Sequence, residues 1–139
     1  MMRNIIKSFV FAGAVVFISC SLSKEKQIGE DAVVVFHEQF NDGKYVEIYN
    51  DADEAFRNVS AEDGFVEYLG AVKRKLGSMK KTTQGVWRVD KLTTGTFASL
   101  QYQTEYSEGN AVEDFVFLIR NDKATLYRYN INSPILVTK

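Results

Sequence analysis

His37 is the only histidine of the 139-residue chain and Cys20 the only cysteine. A Ser-His-Asp arrangement would have to use His37, and no nucleophile motif accompanies it. Lying beside Phe36 in an apolar-periodic stretch, it reads as a partly exposed helix residue or as a core imidazole whose hydrogen bonds are met. Without a second histidine or cysteine, a zinc site lacks ligands. Asp51, Asp53 and Glu54 could offer calcium their carboxylates, but the spacing has neither the glycine nor the distal glutamate of an EF-hand loop, and a solvated helix face accounts for them. Gly95 and Gly109 stand alone as turn glycines, so no phosphate-cradling loop is present and no cofactor is expected. Lys73-Arg74-Lys75 with Lys80-Lys81 could touch anionic lipid, although the solvated end of a helix explains the run better. Trp87 and the 7 tyrosines remain, and they fit either an aromatic core or the lining of a pocket.

The N-terminus carries a different chemistry. Arg3 and Lys7 precede an unbroken apolar run from Phe9 to Ile18, which is shorter than the roughly 20 residues a bilayer span needs and has the layout of an export signal. Its end, Phe17-Ile18-Ser19-Cys20, resembles the bacterial lipobox, in which the cysteine is acylated on sulfur and becomes the new N-terminus. Phe17 stands where that motif usually has leucine. The alternatives are an ordinary secretory signal cut elsewhere and a retained membrane anchor. Neither explains why the sole cysteine ends the apolar run. Cleavage before Cys20 removes two of the 17 basic side chains and none of the 18 acidic ones, moving the net charge from −1 to about −3. No basic excess is left to suggest nucleic acid. The expected organisation is a signal peptide over 1–19, a lipidated Cys20 and polar tether over 20–27, and one domain over 28–139. Ser21, in place of the aspartate that retains many lipoproteins at the inner membrane, implies the outer membrane in a two-membrane bacterium.

Three helices and about four strands must position these residues. Ala32, Val33, Phe36 and Phe40 recur at helical spacing until Asn41-Asp42-Gly43 stops the run. Tyr45, Ile48, Tyr49, Ala52 and Phe56 predict a second, shorter helix. A third carries the stripe Phe65, Tyr68, Leu69, Val72 and Leu76, with Ser60 as its cap and Gly77 as its stop. Beyond Lys80 the period becomes two, predicting strands over 82–89, 97–106, 112–120 and 125–131. The order places the chain in the α+β class, with the helices on one face of a curved antiparallel sheet.

The stretch from Phe36 to Tyr45, the helix ending Arg74-Lys75-Leu76-Gly77, and the segments Asp114 to Ile119 and Leu126 to Ile131 together resemble nuclear transport factor 2-like domains, and within them exported bacterial families of unknown function. Where those families commonly place a tryptophan and a glycine in the last strand, this chain has Ala124 and Arg128. The resemblance implies a cone-shaped fold whose pocket Trp87, Tyr45, Tyr49, Tyr102 and Tyr106 would line. Enzymes of that superfamily use an aspartate or histidine with a tyrosine in the pocket, but their catalytic motif has no residue-by-residue match here. The resemblance also implies pairing through the outer face of the sheet, and hence a homodimer.

Two functions follow as expectations. One is a lipid-anchored, non-catalytic module that binds a small apolar ligand, a protein or itself. The other is a cone-fold isomerase, dehydratase or cyclase working on a hydrophobic substrate through a tyrosine and a carboxylate. A carboxylate reaching an apolar pocket with a raised pKa would favour the second. The strand over 112–120 is apolar on both faces, so one face needs a cover from a second copy or from Ile135 to Val137 folding back.

Overall fold

Helix α1 spans Ile18–Asn41 and touches every strand of the sheet. The computed structural model describes residues 18–138, so the expected export segment lies, up to residue 17, outside the described residues. Residues 20–27, expected as a tether, instead continue α1. The polar side chains that argued against a helix are what dock it. Lys24 Nζ lies 2.9 Å from Asp122, Lys91 Nζ lies 3.2 Å from Glu25, and Lys26 pairs with Glu30 one turn on. Gly29 lets the helix approach the sheet, because a Cβ there would sit 3.0 Å from Leu100 and 3.2 Å from Ala98.

The expected second helix is two. Helix α2 (Tyr45–Asp51) ends at Ala52, and α3 (Glu54–Val59) starts afresh from Asp53, whose side chain accepts from the Ala55 N–H at 2.9 Å. Aspartate satisfies an exposed helix start better than a helix interior, which explains the break. Asp53 is therefore buried, not part of a solvated face. Its amide donates to Leu126 O and its carboxylate accepts from Thr125 Oγ1. Ser60 closes α3 instead of opening α4 (Glu62–Leu76), whose N-cap is Ala61. Leu69, Val72 and Leu76 of α4 are buried as expected, and Gly77 closes it with φ 78° where a Cβ would run into Ser107.

Strands β1 (Met79–Leu92), β2 (Gly95–Tyr106), β3 (Gly109–Arg120) and β4 (Lys123–Asn132) form an antiparallel sheet in the order β1-β2-β3-β4. Each reaches further than the alternation predicted, since pairing continues to two-residue turns. Ala98, Leu100, Tyr102, Thr104 and Tyr106 of β2 face inward with Ala111, Glu113, Phe115 and Phe117 of β3. Phe97, Ser99, Gln101, Val116 and Tyr127 lie on the outer side. Opposite Val116 and Phe117 of β3 the register slips, so Tyr127 of β4 is an extra residue and the inward phase of β4 passes from Leu126 to Tyr129 and Ile131. A final turn, α5 (Pro134–Val137), was not expected. It is capped by Ser133, and Lys75 Nζ donates to the carbonyls of Leu136 and Thr138, so this segment packs at the end of α4 and does not fold over the outer face.

Leu69 has no exposed surface. Leu69→Ala should lower stability by about 2 to 5 kcal/mol in urea unfolding, and an unchanged midpoint would reject the assignment of this face to the core.

Candidate functional site

Alternation along β3 puts a carboxylate into the interior. Glu113 is in phase with Ala111, Phe115 and Phe117, and at 0 % exposure it is as buried as Phe115. An unpaired carboxylate there would be prohibitively costly, so the surrounding elements must supply donors. Helix α1 supplies His37, which shares the buried stripe of Val33, Phe36 and Phe40 and sets Nε2 2.8 Å from Glu113 Oε2. Strand β2 supplies the Thr104 hydroxyl to the same oxygen at 2.6 Å and the Tyr106 hydroxyl to Oε1 at 2.6 Å. Strand β4 supplies the Tyr129 hydroxyl to Oε1 at 2.7 Å. Each oxygen thus accepts two hydrogen bonds, which fills the roughly four lone-pair positions of a carboxylate.

Burial pushes the Glu113 pKa up, but the hydrogen bond and charge of His37 and the hydroxyls of Thr104 and Tyr106 outweigh it and hold the group below the ordinary carboxylate range. Because an ionised carboxylate only accepts, His37 Nε2 carries a proton. Burial, reinforced by the Glu113 charge, drives Tyr106 and Tyr129 far above the usual phenol value, so both stay neutral donors. The imidazole is held edge-on by Phe36 and Phe115, each with its centroid 5.7 Å from that of His37, and Tyr129 packs against both of those rings.

The cluster lies between two clefts. His37 borders one of about 440 Å³ with Val33, Gln84 and Tyr102, and Tyr129 borders one of about 290 Å³ with Phe56, Phe65 and Tyr68. With both oxygens saturated, Glu113 can take a proton from a substrate only by giving up a bond it already has. Among the described residues, no group of three or more His, Cys, Asp or Glu could hold a metal ion.

The five aromatics expected to share a pocket are dispersed. Tyr106 reaches the cluster. Tyr102 is buried one cleft away, its hydroxyl 3.3 Å from Gln84 Nε2. Tyr45 packs on Phe40, and Tyr49 packs on Phe56 and Phe65 while donating to Ser60 O at 2.8 Å. Trp87 is 43 % exposed under the Lys26 ammonium. Sequence reasoning missed Glu113, Thr104 and Tyr129. The available signal was a carboxylate in phase with Phe115 and Phe117, matched by a histidine in phase with Phe36 and Phe40. His37 is the satisfied core imidazole, the second of the two readings its position allowed.

Residues 32–128 match the model of a family described as a protein of unknown function, DUF4019. That span takes in His37, Thr104, Tyr106 and Glu113 and stops one residue before Tyr129. No curated protein matches the chain.

Removing one partner of a buried pair strands the other. Glu113→Gln should therefore lower stability at neutral pH by about 3 to 5 kcal/mol, and Tyr106→Phe by about 1 to 3 kcal/mol. The folded pKa of Glu113 lies below its unfolded value, so its contribution is fully present above the unfolded pKa and is lost as pH falls through the folded one. Denaturant midpoints measured across the acid range should accordingly fall more steeply for the parent than for Glu113→Gln. Parallel curves would show that Glu113 is not ionised in the fold.

Proposed function

We propose that this chain, which belongs to the DUF4019 family, is an exported, lipid-anchored, non-catalytic binding module of the bacterial envelope, built on a nuclear transport factor 2-like cone. The observation that carries the non-catalytic part is the saturation of Glu113 by four donors. Its carboxylate is buried and hydrogen-bonded to capacity, with a lowered pKa, the opposite of a poised general base. The helices followed by a four-stranded meander support the cone, and the lipobox-like Ser19-Cys20 supports the anchor. An enzymatic reading has one observation in its favour, the cleft that His37 and Tyr102 share. It would require that cleft to compete for a proton already committed to Glu113.

The binding surface in this reading is the outer side of the sheet. A groove of about 740 Å³ crosses it between Trp87 and Arg128, floored by Gln101, Asp114 and Val116, and the Phe97–Tyr127 ring pair continues it. The groove sets the apolar Trp87 and Val116 beside a hydrogen-bonded Gln101–Asp114 pair and the Arg88 and Arg128 side chains, a mixed surface that suits a protein partner or a second copy of the chain.

Two measurements test the proposal. Cys20→Ala should move the protein from the membrane to the soluble envelope fraction, and retention in the membrane would defeat the anchor. Light scattering of that soluble variant across a concentration series should show the mass doubling, and Val116→Arg should restore the monomer. Monomer mass throughout would remove self-association from the proposal.

A further inference from the structure

We infer that the end of the domain formed by the β1–β2 and β3–β4 hairpin tips is a membrane-contact surface, laid against a phospholipid bilayer with the sheet standing away from it. The inference rests on the lipoprotein reading above and adds an orientation to it. In a meander, the turns at Thr93-Thr94 and Asn121-Asp122 lie at one end of the sheet and the turn at Ser107-Glu108 at the other. Helix α1 runs the length between them. Lys24, near its start, bonds Asp122 at one end, while Asn41, its last residue, bonds the backbone of Met79 at the other, with Asn41 Oδ1 accepting from the Met79 N–H at 2.8 Å.

Because α1 is helical from Ile18, Cys20 stands one turn before Lys24, about 6 Å along the axis. No irregular linker intervenes. A lipid on Cys20 would enter the bilayer about one helical turn along the axis from Lys24 and Glu25, which pair with Asp122 and Lys91 at the two hairpin tips, a step comparable to the roughly 5 to 8 Å of polar headgroup layer on each side of the hydrocarbon core. The side chains at this end suit that layer. Leu92 is 61 % exposed at the β1–β2 tip, where an apolar side chain gains by burial among acyl chains. Lys24, Lys91, Arg120 and Lys123 lie at the same end, where Lys24, Lys91 and Arg120 are ion-paired with Asp122, Glu25 and Asp53, so this end meets the polar headgroup layer with a near-balanced set of charges. The basic run of α4 belongs to the other end, about 30 Å away along α1. There Lys73 donates to Asn41 O, Arg74 pairs with Glu67, and Lys75 holds the C-terminal turn, so these residues face away from the lipid.

The test uses the full acylated chain, whose only native cysteine is consumed by the lipid, so an introduced cysteine can be labelled uniquely. Leu92→Cys, Thr93→Cys and Glu108→Cys carry an environment-sensitive fluorophore in vesicles of phosphatidylethanolamine and phosphatidylglycerol containing a headgroup-quencher lipid. Fluorescence should be lost at positions 92 and 93 and kept at 108. Equal quenching at all three positions, or none at 92 and 93 with the acyl mass present and the protein on the vesicles, overturns the orientation and leaves the lipoprotein reading standing. An intact mass without the acyl group overturns both.

Discussion

The interior is organised around one buried negative charge. Glu113 stays ionised without solvent only because α1, β2 and β4 each bring a donor to it, so the placement of those three elements is coupled through a single side chain. A displacement of α1 would withdraw His37, and a slip of β2 or β4 would withdraw a hydroxyl. Each would leave the carboxylate short of a partner in a site closed by Phe36 and Phe115. An apolar residue at position 113 could contribute similar burial. It could not select one register among neighbours in the same way, because dispersion tolerates a misfit that an unsatisfied charge does not.

The rest of the core is consistent with that constraint. Aromatic rings pack around the cluster: Phe115 meets His37, Phe36 and Tyr102 edge to face, stacks on Phe117 and lies tilted against Tyr129. The rings cover the network, and Glu113 and Thr104 are buried beneath them. The volume between helices and sheet that could have been an open pocket is filled by these rings, and the clefts that remain lie to either side.

Legibility in the sequence followed the range of the interaction. The stripe of α4 and the alternation of β2 were readable because each depends on the spacing within one element, and Leu69, Leu100 and Tyr106 are buried accordingly. Asp53 and Ser60 were misassigned because a cap is decided by where the neighbouring helix stops, and here α3 claims both residues. Residues 20–27 looked like a tether because their polarity hides a docking made by Lys24 and Glu25 to turns far along the chain. The Glu113 cluster joins residues 76 positions apart, and no local period reports such a contact. What the sequence held was a pair of anomalies, an acid and an imidazole each in phase with phenylalanines, whose meaning appears only once they are matched to each other.

The extra residue in β4 separates the two sides of the sheet. In a regular strand every outward position is flanked by inward ones, so a change on the surface is constrained by the core beneath it. At the bulge, Tyr127 and Arg128 are consecutive and both line the outer cleft, while Leu126 and Tyr129 on either side keep their inward places. Replacing or removing Tyr127 therefore changes the outer surface without altering the phase of Tyr129 against Glu113. The outer face at this position is thereby uncoupled from the charged interior, so that a change of side chain there leaves the donors around Glu113 in place.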